Sequence, residues 1–272
     1  MSILFYTVVG LLAATLGSLV GLGGGIIIVP ALVYLGPYFV HEHVSVATAV
    51  GTSLAVLIFT ALSSTLTFVK QKKVDFKSGL LYFITSGPGA MLGSYTTQFV
   101  NAKSFQLSFG LFMLFMAILL VLRDYLKPIK VDWAIRREYT DGKGDTYEYG
   151  YSVLPALAVG LLVGYISGLF GIGGGSLFVP VMVLLFRYPP HVATATSMFV
   201  ILLSSVMGSV THFVLGEIDF WMVLFLAPSA LAGGWLGARI ASRLSTKKPL
   251  WVLRITFILV AVRMIWEGLT LT

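Results

Sequence analysis

Hydrophobic residues in this chain run on for lengths that neither strand alternation nor a one-sided helical stripe produces. Apolar stretches cover residues 3–20, 44–69, 79–100, 105–122, 153–170, 191–215, 220–240 and 250–269. Most reach or approach the ~20 residues that an apolar helix needs to cross ~30 Å of hydrocarbon. The chain is 57% hydrophobic and 11% charged, against roughly 25% charged in a soluble domain. One soluble core of this size could not bury so much apolar surface. The pattern predicts an all-α polytopic membrane protein with about 8–10 membrane segments, counting short ones. The first run lacks the basic flank of a signal peptide and has an internal counterpart at 153–170, so it reads as a structural helix. With no cysteine there is no disulfide framework and no thiolate metal site.

The same landmarks occur twice. Gly21-Leu22-Gly23-Gly24-Gly25 returns as Gly171-Ile172-Gly173-Gly174-Gly175, 150 positions later, and Pro30 returns as Pro180. The spacing then becomes 144: Thr52-Ser53 matches Thr196-Ser197, Val74-Asp75-Phe76 matches Ile218-Asp219-Phe220, and Leu92-Gly93 matches Leu236-Gly237. The chain therefore divides into repeats at 1–122 and 151–272. Each holds a helix, a glycine turn with a short broken helix, and three long helices. Residues 123–150 form the only extended polar stretch, with six basic and six acidic residues. That composition belongs in water and reads as a tether between the repeats.

Lys/Arg placement sets orientation. In the first repeat the basic cluster is Lys70, Lys72, Lys73 and Lys77. The matching loop of the second, Gly216-Glu217-Ile218-Asp219, has no basic residue, and its cluster follows the next helix at Arg239, Arg243, Lys247 and Lys248. Such a swap is what inverted insertion of two related halves predicts. It puts the linker in the cytoplasm and both termini outside, provided the first two segments of each repeat form a hairpin. The net charge of +7 follows largely from these anchors. No basic soluble module that would bind nucleic acid is present.

Helix-breaking backbone is tolerated at membrane depth only where it is buried in protein or lines a wet cavity. The segments after the glycine turns, 26–35 and 176–186, are too short to span comfortably, so each turn opens a half-helix N-terminus. Free amides and the positive dipole end there attract anions. Broken helices at corresponding places in two halves are the best sequence pointer to a transporter site. Gly23, Gly24, Gly25, Gly173, Gly174 and Gly175 are the first candidates for substrate binding. The hydroxyls of Thr52, Ser53, Thr196 and Ser197 are the second, because they recur at matching positions and can donate to an oxyanion. They could equally serve helix packing. The small-residue series Gly10-Ala14-Ser18, Gly160-Gly164-Gly168, Gly89-Gly93 and Gly233-Gly237 are expected to be packing faces.

No Asp or Glu falls mid-membrane, where a cation pump keeps one. Arg254 and Arg263 lie near enough to the ends of the last helix to snorkel. His212 is the titratable group set deepest in a hydroxyl-rich stretch and the candidate for proton coupling. His41 and His43 lack a third ligand, and no metal site is expected. An intramembrane enzyme would need a nucleophile beside a base or a metal cluster; the chain supplies neither. A scaffold or partner subunit without transport of its own is the rival reading.

The paired Gly-Leu-Gly-Gly-Gly-x-x-x-Val-Pro and Gly-Ile-Gly-Gly-Gly-x-x-x-Val-Pro elements, Ala-Val-Gly-Thr-Ser at 49–53 and Lys-Lys-Val-Asp-Phe at 72–76 resemble the TauE/SafE family of sulfite and organosulfonate exporters. The resemblance covers nearly the whole chain outside the linker. It implies a multi-pass protein of the cytoplasmic membrane that exports sulfite, sulfoacetate or a related sulfur-containing anion. No nucleotide or other cofactor is implied. The expected partners are that anion, the bilayer and, as a candidate, a second copy of the chain.

Overall fold

The computed structural model describes residues 2–40, 44–122, 125, 133–140, 144–242 and 247–270. His41, His43 and the linker charges at 123–124, 126–132 and 141–143 lie outside the described residues. In chain order the elements are α1 (Ser2–Val20), α2 (Gly25–Pro30), a π-helical turn (Ala31–Leu35), α3 (Gly36–Val40), α4 (Val46–Lys70), α5 (Phe76–Thr97) and α6 (Ala102–Leu122). A two-stranded hairpin follows, β1 (Ile135–Thr140) and β2 (Thr146–Tyr151), and then α7 (Val153–Phe170), α8 (Gly175–Leu184), α9 (Pro190–Val214), α10 (Phe220–Ala241) and α11 (Lys247–Thr270).

Six helices (α1, α4, α6, α7, α9 and α10) are long and apolar enough to cross a membrane. Helices α5 and α11 have comparable length, 22 and 24 residues, with more small or polar positions. Asp75 and Asp219 start α5 and α10 by accepting the amides of Ser78 and Met222, which satisfies one of the orphan donors of a first helical turn.

The small-residue faces fix how the helices meet. Gly160, Gly164 and Gly168 of α7 lie directly on the α5 backbone, at Tyr82, Ser86 and Ala90. Gly233 and Gly237 of α10 lie on the α1 backbone at Leu11 and Thr15. Glycine is needed there because a Cβ at Gly164 would sit 2.3 Å from the Ser86 carbonyl oxygen. The first and third long helices thus pair across the repeats, α1 with α10 and α7 with α5.

The hairpin expected of the first two segments is visible in its ends. Ser2 Oγ donates to the Phe39 carbonyl at 3.5 Å, and the Phe5 and Phe39 rings stack at 5.0 Å. The first broken helix is longer than the 26–35 expected, because it continues through the π turn to Val40. Pro30, which has no N–H to donate, directly precedes the π turn, whereas Pro180 at the matching place lies inside α8 without one. Its counterpart α8 stops at Leu184, where the repeat spacing falls from 150 to 144.

The linker is more than the tether that its composition predicts. Strands β1 and β2 pair antiparallel from Ile135↔Tyr151 to Thr140↔Thr146. Alternate residues of β1 are turned inward, and the Gly150 amide donates to the Phe186 carbonyl at 3.1 Å. The all-α membrane body therefore carries a small sheet at one mouth.

Sidedness gives a direct test. A cysteine at Lys72 should be protected from an impermeant thiol reagent in intact cells, and one at Gly216 should be labelled. Labelling of both from the same side would sink the inverted arrangement.

Candidate functional site

The two glycine turns meet back to back in the middle of the molecule. Gly21, Gly23 and Gly24 have φ of 83°, 87° and 103°, and Gly171, Gly173 and Gly174 have 70°, 76° and 71°. These are left-handed conformations that glycine adopts without a steric penalty. A Cβ at Gly25 would lie 2.2 Å from the Gly171 carbonyl oxygen, and one at Gly175 would lie 2.1 Å from that of Gly21. The turns are therefore in backbone contact. The amides of Gly24, Gly25, Gly174 and Gly175 find no acceptor among the described residues. Leu57 and Ile201, a matched pair fully buried on α4 and α9, close the space beside Gly23 and Gly173.

The recurring hydroxyls bind the halves to each other. Ser53 Oγ donates to the Gly171 carbonyl at 2.8 Å, and Ser197 Oγ donates to that of Gly21 at 3.0 Å. Thr52 Oγ1 accepts the amide of Asp219 and Thr196 Oγ1 that of Asp75, each at 3.1 Å. The serine protons are thus committed. Each threonine keeps its own O–H to donate, since a hydroxyl can accept and donate at once. Leucine at Gly24 cannot separate binding from folding, because a Cβ there would sit 2.6 Å from the Ala13 carbonyl oxygen.

The two mouths differ. On the face that carries Glu217, a cavity of about 630 Å³ opens between the α3 end, the α4 start, the α5–α6 turn and α11. Tyr34, Gln106, Glu217, Arg263 and Glu267 are among its lining residues. His212 is fully buried in the last turn of α9. Its Nδ1 lies 2.7 Å from Glu217 Oε2, so the pair joins the cavity floor to the helix interior. Arg263 pairs with Glu267 at 3.0 Å. Arg254 does not snorkel; it is buried and donates to the Leu120 carbonyl.

At the opposite mouth the linker sheet lies across the helix ends. Tyr149 donates to Asp75 Oδ2 at 3.0 Å, and Arg137 approaches Oδ1 at 3.8 Å. Burial, reinforced by the Asp75 carboxylate, holds the Tyr149 hydroxyl well above its ordinary pKa, so it remains a donor. The Tyr149 ring is 4.3 Å from that of Tyr188, and the Trp133 ring is 5.1 Å from that of Phe186. The sheet therefore ties the start of α5 to the segment after α8.

The structure brings the two glycine turns and the two Thr-Ser pairs together, and it sets His212 against Gly51, the residue before Thr52, with Nδ1 on Glu217. Sequence reasoning missed Glu217, whose contact with His212 spans a helix end. It also missed Ser86, Ser94 and Ser167, buried hydroxyls near the second turn that have no hydrogen-bond partner among the described residues. Their signal was a departure from the repeat: the matching residues are Ala230, Ala238 and Gly17.

Comparison with known proteins places the chain. The family model described as "Sulfite exporter TauE/SafE" matches residues 6–264. A relative from Bacillus subtilis, "Probable membrane transporter protein YunE", is 47% identical over 99% of both chains. "Probable membrane transporter protein MJ0441" of Methanocaldococcus jannaschii is 28% identical over 88% of this chain and 86% of its own length. "Probable membrane transporter protein YfcA" of Escherichia coli K12 is 26% identical over 96% and 86%. With its membrane-spanning helices and paired glycine turns, the chain belongs to the TauE/SafE family of multi-pass membrane transporters.

Proposed function

We propose that this transporter moves a small sulfur-containing anion, sulfite or an organosulfonate such as sulfoacetate, out across the cytoplasmic membrane by alternating access. The observation that carries the reading is the pair of abutting glycine turns, with unbonded amides at the start of two broken helices. Such amides replace part of an anion's hydration shell without a cationic side chain. The Thr52 and Thr196 O–H groups, each one residue from a serine bonded to a turn carbonyl, are further candidate donors. One mouth open and the other covered by the linker sheet fits one end-state of an alternating cycle. In this reading the repeats 1–122 and 151–272 are inverted halves that flank the site, and 123–150 is cytoplasmic.

The test is electrogenic sulfite or sulfoacetate flux in liposomes that contain the purified chain alone. A scaffold would pass none. Within that assay, Thr52→Val and Thr196→Val should each weaken sulfite binding by roughly five- to a hundredfold, the loss of one hydrogen bond to a charged group. Both should also lower the melting temperature, because the Asp219 or Asp75 amide loses its acceptor. Thr→Ser at either position keeps acceptor and donor and should restore both properties. Parental affinity in both valine variants would leave the site to the glycine amides.

A further inference from the structure

The internal repeat supplies a control within one molecule. A hydroxyl that serves only the shared fold should recur at the matching position of the other half, and Thr52-Ser53 with Thr196-Ser197 do so. Four buried and unpaired serines of the long helices do not. Ser86 and Ser94 of α5, Ser167 of α7 and Ser205 of α9 stand where the other half has Ala230, Ala238, Gly17 and Ala61. Each is at most 1% exposed, and none of the four hydroxyls has a hydrogen-bond partner among the described residues. Burying a hydroxyl unpaired is costly, and alanine or glycine at the matching positions shows that the architecture does not need one. On the other side the buried hydroxyls are better satisfied: Ser64 donates to Ser18, and Ser18 donates to the Gly234 carbonyl. Thr60 and Thr65 are unpaired there, but they match Ser204 and Ser209 and so follow the repeat.

Ser86, Ser94 and Ser167 lie along the seam of α5 and α7. Gly164 and Gly168 of α7 rest on Ser86 and on the Ala90–Ser94 turn of α5. A Cβ at Gly208 of α9 would be 3.1 Å from Ser94 Oγ. Small residues meet at these contacts, with Leu54 of α4 also against Gly208, so a slight separation of the three helices opens room beside the hydroxyls. At its upper end the junction reaches the second glycine turn, since Ser167 Cβ lies 3.4 Å from where a Gly174 Cβ would be. The free amides of Gly174 and Gly175 open the ten-residue helix α8 there.

We propose that the anion is held away from the central axis, between α5, α7 and α9 against the second glycine turn, and that this site selects singly charged oxyanions. The proposal rests on the anion-transporter reading above. The donors at the junction are hydroxyls and amides, all neutral. The cost of stripping water from an ion rises with the square of its charge, and His212, which reaches the Gly168 backbone from α9, is already paired with Glu217, so no unpaired cation stands among these donors to offset a second charge. A singly charged sulfonate group or bisulfite suits such a site, and sulfate does not; sulfoacetate, a dianion at neutral pH, fits it only with its carboxylate held outside these donors.

The experiment is calorimetric titration of the purified full-length chain with methanesulfonate, sulfite and sulfate, with melting temperature recorded for each variant. Ser94→Ala and Ser167→Ala should each weaken methanesulfonate by roughly five- to a hundredfold. Their melting temperatures should be unchanged or raised, because an unpaired hydroxyl has been removed. Ser167→Gly installs the residue of the other half and guards against a local effect of alanine. Thr65→Ala, which follows the repeat, should leave affinity as it is. Sulfate should bind at least about tenfold more weakly than methanesulfonate. If the parent binds methanesulfonate or sulfite and all the Ser94 and Ser167 variants bind equally well, the off-axis placement is wrong and the anion reading stands. Equal affinity for sulfate overturns the charge selection. If the parent binds neither methanesulfonate nor sulfite, the anion reading fails and the proposal with it.

Discussion

Alanine at Gly25 or Gly175 should leave little folded transporter. Both residues have ordinary helical backbone, so strain at positive φ plays no part; the effect is steric alone. The added Cβ would lie 2.2 Å from the Gly171 carbonyl oxygen in one case and 2.1 Å from the Gly21 carbonyl oxygen in the other. Overpacking against side chains costs ~1–3 kcal/mol because rotamers can yield. Here the obstacle is backbone that is itself fixed by Ser53 and Ser197, so the cost should exceed that range. Gly216→Ala is the comparison: φ is +73° with nothing within 4 Å, and the left-handed conformation alone costs about 1–2 kcal/mol. Monodisperse yield and melting temperature read the difference. Parental values for Gly25→Ala and Gly175→Ala would show that the turns do not abut.

The second large effect separates two residues that the repeat makes equivalent. Asp219→Ala removes a helix N-cap that accepts the Met222 amide, a loss of ~1 kcal/mol. Asp75→Ala removes the same cap and also the bonds from the Ser78 and Tyr149 hydroxyls and the approach of Arg137. Hydrogen bonds to a charged group contribute ~1.5–3 kcal/mol each, while the partly exposed Arg137 adds little. The Asp75 variant should therefore be less stable than the Asp219 variant by about 2 kcal/mol or more. It should also uncover the mouth that the linker sheet closes. A cysteine at Ser78 would then react faster in the Asp75→Ala background when reagent reaches that face. Equal stabilities of the two alanine variants would mean that Asp75 does not hold the sheet.

The helices were legible because each apolar run is long enough to need a bilayer, and the glycine turns because they occur twice. The linker sheet was hidden by its charges, although Ile135-x-Arg137-x-Tyr139 and Tyr147-x-Tyr149-x-Tyr151 alternate with the period of a half-buried strand. Recurrence picked out Thr52-Ser53 and Thr196-Ser197 without saying why they recur. An interface between two related halves calls for matching residues as strongly as a shared ligand does. Their bonds to Asp219, Gly171, Asp75 and Gly21 show how much of that recurrence belongs to the interface. The reverse signal, serine on one side against alanine or glycine on the other, gains meaning only when the hydroxyls are seen to be buried and unpaired. His212 lies in the last turn of α9, as the run 191–215 implied, and Glu217 lies beyond that end, so only the fold shows the two together.

The pairing of α5 with α7 and of α1 with α10 bears on which parts can move. If one repeat swung as a block against the other, every glycine contact along both seams would have to part and re-form in each turnover. Motion that keeps these seams intact must divide the chain differently, with α5 travelling with α7 and α1 with α10. Any units that rock would then be mosaics of both repeats. A chain cut within the linker would yield two fragments, neither of which contains a whole moving body. Such fragments should regain a fold only when made together, each completing the other's mobile unit.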